Sequence, residues 1–320
     1  MADTVKRAQF TAVAPRFQRS INLHNDWYKD DVSSGYIVTP NVAQSLERLF
    51  RGVLSPKGQR SFALTGPYGS GKSAFAVFAS QLLGRDQVTP KKAESLLPPK
   101  LKSTLKKVRG SNKNEKGFLV IPITARRRPI AQLILEGIST VLGKLPQGKS
   151  IKSLQAQVSA ALIDDAWHDT SIVVKSLTAL LVEAKKQGFG GALLIIDEAG
   201  KTLEYALQDR GGGDVYIFQE LAEFAGRQEE LPLLFLILLH QMFDDYVELS
   251  DRTLKNEWNK IQERFQSIQF AESAAATIRM VASAFQPQSE LPDYVCEEID
   301  TALRLIQQGA MTLPVGIEFT

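Results

Sequence analysis

The chain has one cysteine in 320 residues, Cys296. No internal disulfide can form, and the composition suits a reducing cytoplasm. Its three histidines, His24, His168 and His240, lie far apart without metal-ligand spacing, which argues against a zinc site. Long apolar runs are missing as well. The longest, Leu231 to Leu239, contains Pro232 and is much too short to cross a bilayer. The opening residues mix charged and polar types, unlike a secretory signal. A net charge of +3 is too small to name a partner. What is present is an ordinary globular composition, 44% hydrophobic and 23% charged, long enough for one large domain and a smaller appendage.

The most informative stretch is Gly66-Pro67-Tyr68-Gly69-Ser70-Gly71-Lys72-Ser73, which satisfies the phosphate-loop pattern G-x-x-x-x-G-K-[ST] at every fixed position. Its flanks agree with that reading. Ser61 to Thr65 predicts a short buried strand, and Ala74, Phe75, Val77, Phe78, Leu82 and Leu83 repeat as in a buried helix that Gly84 ends. Glycines let successive amide N–H groups converge on phosphate, and the helix start adds its positive dipole end. Gly66, Pro67, Tyr68, Gly69, Ser70, Gly71, Lys72, Ser73 and Ala74 are therefore the candidate nucleotide-binding residues. Lys72 is expected on the β- and γ-phosphates, and Ser73 on Mg²⁺. The competing reading is a plain glycine-rich turn with a surface lysine.

Ahead of the loop, Thr39-Pro40 marks a helix start, and Val42, Leu46, Leu49, Phe50 and Val53 form one apolar face. Residues 1–56 are expected as a lead-in, 57–271 as the core, and 272–320 as two helices forming a partial lid. Within the core, residues 85–117 read as a basic, partly helical insertion, with lysines from Lys91 to Lys116. A strand at Phe118–Ile123 leads to Arg126-Arg127-Arg128. These arginines and the 91–116 lysines form a candidate nucleic-acid surface. No aromatics interleave with the lysines, so a solvated basic face is the competing reading.

Ala192-Leu193-Leu194-Ile195-Ile196-Asp197-Glu198 is the second decisive stretch. A parallel strand buried on both faces reads as an unbroken apolar run, and α/β folds place ligands at strand carboxyl ends. Asp197 is thereby expected near Mg²⁺, and Glu198 near the attacking water. Gln208 to Gly213 reads as a polar loop, with Asp214 capping the next helix. Leu233 to Leu239 predicts another buried strand, tipped by His240 and Gln241. Either is a candidate γ-phosphate sensor or an ordinary strand-end polar residue. Trp258 to Phe270 reads as a helix carrying Arg264-Phe265, followed by a strand at Ser267–Phe270.

Together these features resemble the AAA+ and related additional-strand P-loop ATPases over roughly residues 36–285. That resemblance implies an α/β fold with a parallel five-stranded sheet in the order 5-1-4-3-2, flanked by helices and followed by a helical lid. It implies ATP and Mg²⁺ as ligands, a homo-oligomer, and Arg264 as an arginine finger reaching a neighbouring subunit. The stretches Ile196–Tyr205, Gln219–Glu223, Leu239–Gln241 and Glu257–Phe265 are similar to the large bacterial P-loop ATPases of phage-defence islands. Members of that group are usually much longer, so the resemblance implies an ATPase module of a larger defence assembly. The alternative is an interaction module in which ATP is a structural ligand with negligible turnover.

Overall fold

The computed structural model describes residues 11–14, 17, 21–29, 35–55, 58–84, 91–109, 116–208, 215–241, 259–287 and 293–307. The chain divides into two compact units, one of Ile21–Ala271 and one of Met1–Ser20 with Glu272–Thr320. In chain order the strands are β1 (Thr11–Val13), β2 (Ser61–Thr65), β3 (Phe118–Thr124), β4 (Gly191–Asp197), β5 (Leu233–Leu239), β6 (Gln266–Gln269) and β7 (Phe285–Pro287). The helices used below are α1 (Leu23–Asp26), α2 (Pro40–Leu54), α3 (Lys72–Leu83), α4 (Lys91–Ser95), α5 (Pro99–Val108), α6 (Ile130–Lys144), α7 (Lys149–Ile163), α8 (Thr170–Lys186), α9 (Gly200–Gln208) and α10 (Tyr216–Arg227). To these the smaller unit adds α11 (Ala274–Ala284) and α12 (Asp293–Gln307).

The larger unit is built on a five-stranded sheet in the order β3-β4-β5-β2-β6, with every neighbouring pair parallel. Counted from β2, the strand before the glycine loop, this is 2-3-4-1-5, or 5-1-4-3-2 read from the β6 edge. In whole-chain numbers it runs 3-4-5-2-6. The shift by one arises from β1, a strand outside this sheet that the sequence reading does not contain.

Composition explains the order. β4 and β5 are buried at every position and occupy the middle, as continuous aliphatic runs must. The sequence Gln-Ser-Ile-Gln of β6 buries only Ile268, which suits an edge. β3 forms the other edge and carries Pro122. The Ala125 amide donates to Asp197 O at 2.8 Å, and amide directions alternate along a strand, so position 122 faces outward and costs the ladder no donor.

Successive side chains feed opposite faces of the sheet. Leu194, Ile196, Phe235 and Ile237 pack with α6, α7, α8 and α10. Leu193, Ile195, Leu236 and Phe62 pack with α2, α3 and α5. Each fully buried aliphatic of these layers contributes up to about 1.5–3 kcal/mol. The lead-in from Ile21 and the helix α2 belong to this unit, because Leu23, Leu46 and Phe50 share an apolar cluster with Phe62 and Phe78. Thr39 caps α2 by accepting from the Val42 amide at 3.2 Å, with Pro40 in the first turn.

Two expectations need adjustment, and a third lies outside the described residues. The strand foreseen at 267–270 runs Gln266–Gln269, and helical residues 259–263 end before Arg264, which stands in a turn. Asp214, the expected cap, lies outside the described residues, as do 209–213. The helix after it begins at Tyr216. In the smaller unit β1 pairs antiparallel with β7, Thr11 opposite Pro287. Ser273 caps α11, accepting from the Ala276 amide at 3.2 Å. Among the described residues no helix is long and apolar enough to cross a membrane.

Candidate functional site

The glycine loop leaves β2 at the carboxyl rim of the sheet. There the chain order switches sides, since β2 lies between β5 and β6 while the next strand, β3, is at the far edge. Such switch points open a crevice. A Cβ on Gly66 would sit 2.6 Å from the backbone oxygen of Phe270, so only glycine fits this close approach. The approach is held by the Phe270 amide, which donates to Thr65 O at 2.7 Å. Gly71 is left-handed, φ 92°, and serves as the N-cap of α3, whose first residue is Lys72.

Lys72 is only 5% exposed. Its Nζ donates to Gly66 O at 2.6 Å, Pro67 O at 2.8 Å and Ser70 Oγ at 3.4 Å. Burial pushes its pKa down, and the nearby Asp197 carboxylate acts in the opposite sense. Asp197 closes β4 at 6% exposure. Burial raises its pKa. Opposing this, the Ser73 side chain nearby favours the ionised carboxylate, and the Glu198 amide donates to Oδ1 at 2.9 Å. Lys72, Ser73 and Asp197, chosen from two stretches more than a hundred residues apart, are thus brought together.

Glu198 follows in a left-handed backbone conformation, φ 56°, unusual for a residue with a side chain. Its carboxylate is held in an ion pair by Lys201, three residues on in the first turn of α9. His240 stands at the end of β5, with its ring stacked on Tyr68 of the loop at 3.5 Å between centroids and 21° between planes. Both ring nitrogens are buried without a hydrogen-bond partner among the described residues. Burial first, then the Lys72 charge, lowers the His240 pKa, while Glu198 acts the other way. Gln241 is exposed beside it. Thr65 Oγ1, directly before the loop, is also buried without a partner among the described residues.

The donor set fits a hard divalent cation. The Ser73 hydroxyl and Asp197 carboxylate are oxygen donors, and one or two such groups with phosphate oxygens are the usual way Mg²⁺ is held. Among the described residues no group of three or more His, Cys, Asp or Glu side chains could hold a metal by itself.

Arg264 is not part of this cluster. It precedes β6, whose Gln266 is level with Phe62 near the start of β2, so it lies at the amino rim. Its Nε donates to Glu223 Oε1 at 3.2 Å, and its carbonyl accepts from Gln59 Nε2 at 2.6 Å. Of the arginine triplet, Arg128 pairs with Glu136 at 2.8 Å and Arg127 with Glu204 at 3.5 Å, while Arg126 is exposed. The described part of the basic insertion forms α4 and α5. Leu101, Leu105 and Val108 are buried, and Lys100 pairs with Glu47 of α2.

Neither the Lys201–Glu198 pairing nor the Tyr68–His240 stack is among the expectations drawn from the sequence. The i, i+3 spacing signals the first, provided a helix starts at Gly200. Nothing local signals the second. A scan against protein-family models and a search of the curated proteins return no match to this chain.

Proposed function

We propose that the larger unit binds and hydrolyses ATP with Mg²⁺, as a switch or motor module of a larger assembly. The observation that carries this reading is the convergence of Lys72, Ser73 and Asp197 beside a glycine loop at a sheet switch point. The loop amides and the α3 amino end supply fixed dipoles toward phosphate. Lys72 places its ammonium on the β- and γ-phosphates. Ser73 and Asp197 would hold Mg²⁺, which would supply positive charge to the phosphate oxygens. Glu198 accepts a proton from the attacking water, and His240, beside the same crevice, senses the γ-phosphate. The phage-defence setting, a homo-oligomeric state and nucleic-acid contacts through Arg126, Arg127, Arg128 and the 91–116 segment belong to this proposal. The internal pairing of Arg127 and Arg128 supports the nucleic-acid part less well.

A second reading is favoured by one contact. Lys201 engages the Glu198 carboxylate, which suits a module that holds ATP as a structural ligand with negligible turnover. Calorimetric titration with ATP and Mg²⁺ tests the shared first step. Lys72→Ala is expected to abolish or greatly weaken binding with the fold intact, and unchanged affinity would overturn both readings. Turnover with ATP and with GTP, in the presence and absence of DNA or RNA, then separates the two.

A further inference from the structure

A cavity of about 320 Å³ lies at the carboxyl end of the edge strand β3, away from the glycine loop. Its walls come from β3, from α6 and from the residues that open α1. The volume is at the small end of the range for ligand pockets, about 300–1,000 Å³.

The polar groups in it are unevenly engaged. Glu136 gives both carboxylate oxygens to Arg128, at 2.8 and 3.4 Å. Thr124 lines the cavity, and its Oγ1 is buried without a hydrogen-bond partner among the described residues. Its amide faces the open edge of the sheet, because the next amide, that of Ala125, points to β4. Arg126 also lines the cavity, and among the described residues it forms no ion pair, unlike Arg127 and Arg128 beside it. Thr124 Oγ1 is sealed in the wall, so the chemistry open to a ligand is the Arg126 guanidinium and the Asn25 amide, beside the apolar surfaces of Pro122 and Leu133. One free positive charge, no free negative charge and an apolar wall select an anion with an organic body.

We propose that this cavity binds a small organic anion, a phosphate ester or a carboxylate, with its charged group on Arg126 and the Asn25 amide and its body against Pro122 and Leu133. The site stands apart from the nucleotide reading. It is nonetheless one strand from it, since Thr124 is the register partner of Asp197 in the parallel β3–β4 pair.

Phenyl phosphate and benzoate, each an anion on an apolar body, are titrated calorimetrically into the full chain and into Arg126→Ala and Lys72→Ala. Saturable binding in the millimolar range or tighter is expected for at least one probe, and which one binds assigns phosphate or carboxylate. Arg126→Ala should weaken it about tenfold or more, the size of one lost charge-assisted hydrogen bond. Lys72→Ala should leave it unchanged. Arg126 is exposed, and equal melting temperatures of Arg126→Ala and wild type verify that folding is not the cause. No saturable binding of either probe overturns the site, as does an affinity indifferent to Arg126→Ala. A loss on Lys72→Ala, whatever Arg126→Ala does, places the probe in the glycine loop and overturns it too.

Discussion

Tyr68 and His240 stack with their ring centroids 3.5 Å apart, joining the glycine loop to the tip of β5. Tyr68 is otherwise 73% exposed, so this contact is a main constraint on where its ring lies. It also covers a histidine whose two nitrogens find no partner among the described residues. A histidine buried in this way resists protonation, because its charged form loses water and faces Lys72.

That resistance sets a pH dependence. The unfolded chain takes up a proton at an ordinary histidine pKa, 6.5, whereas the folded chain takes it up only at lower pH. Between those values the unfolded state binds more protons, so stability falls as pH drops through that window and is flat above it. The denaturant midpoint of the wild type should therefore fall faster between about pH 7 and pH 5 than that of His240→Gln. Parallel curves for the two proteins would contradict this.

Glu198→Gln keeps the size of the side chain and removes the proposed base. ATP affinity should stay within about threefold, while turnover falls about 10²–10⁴-fold, the usual contribution of a positioned general base. Single-turnover kinetics with calorimetry on the same preparation separates the two quantities. Equal losses in binding and turnover would make Glu198 a structural carboxylate.

Gly66→Ala adds one methyl group where the Phe270 backbone oxygen stands 2.6 Å away. Backbone cannot move aside as a side chain can, so the loop and the chain after β6 must separate. The melting temperature is expected to fall, about 2–4 °C for each kcal/mol lost in a unit of this size, and ATP binding to weaken with it. Full retention of both would show that the approach is looser in solution.

Arg264 stands at the amino rim of the sheet, so a catalytic role for it requires a neighbouring subunit. Arg264→Ala should cost less than about 1 kcal/mol in stability, since its pairing with Glu223 is solvent-exposed. If the residue works in trans, hydrolysis rises with protein concentration, and Arg264→Ala mixed with Lys72→Ala recovers part of the activity that each lacks alone. No recovery in an oligomer shown to contain both chains leaves Arg264 as a surface ion-pair partner.

The sheet was legible because its signals are local and strong. Four consecutive aliphatics before Asp197, and seven apolar residues in β5, admit little but a strand covered on both faces. The candidate site was legible for the same reason, since the loop pattern places Lys72 and Ser73 at the start of α3 and burial of β4 brings Asp197 to the same rim. What escaped was long-range. Thr11–Val13 and Phe285–Pro287 are strands of three residues each, too short to carry a period, and they find each other across most of the chain. The Arg264–Glu223 contact, the Tyr68–His240 stack and the cavity at Thr124 each depend on three-dimensional neighbours that no spacing rule names.

The left-handed backbone at Glu198 separates what this fold needs from what its proposed chemistry needs. A side chain there costs on the order of 1 kcal/mol or more relative to glycine, which adopts the same angles freely. Selection for stability alone would favour glycine at this position and discard the carboxylate. Where natural variants of the chain keep an acidic residue at 198 against that gradient, the persistence would speak for a use of the carboxylate beyond the fold, as the proposed hydrolysis requires. Where it gives way to glycine, the scaffold should persist and the proposed hydrolysis be lost.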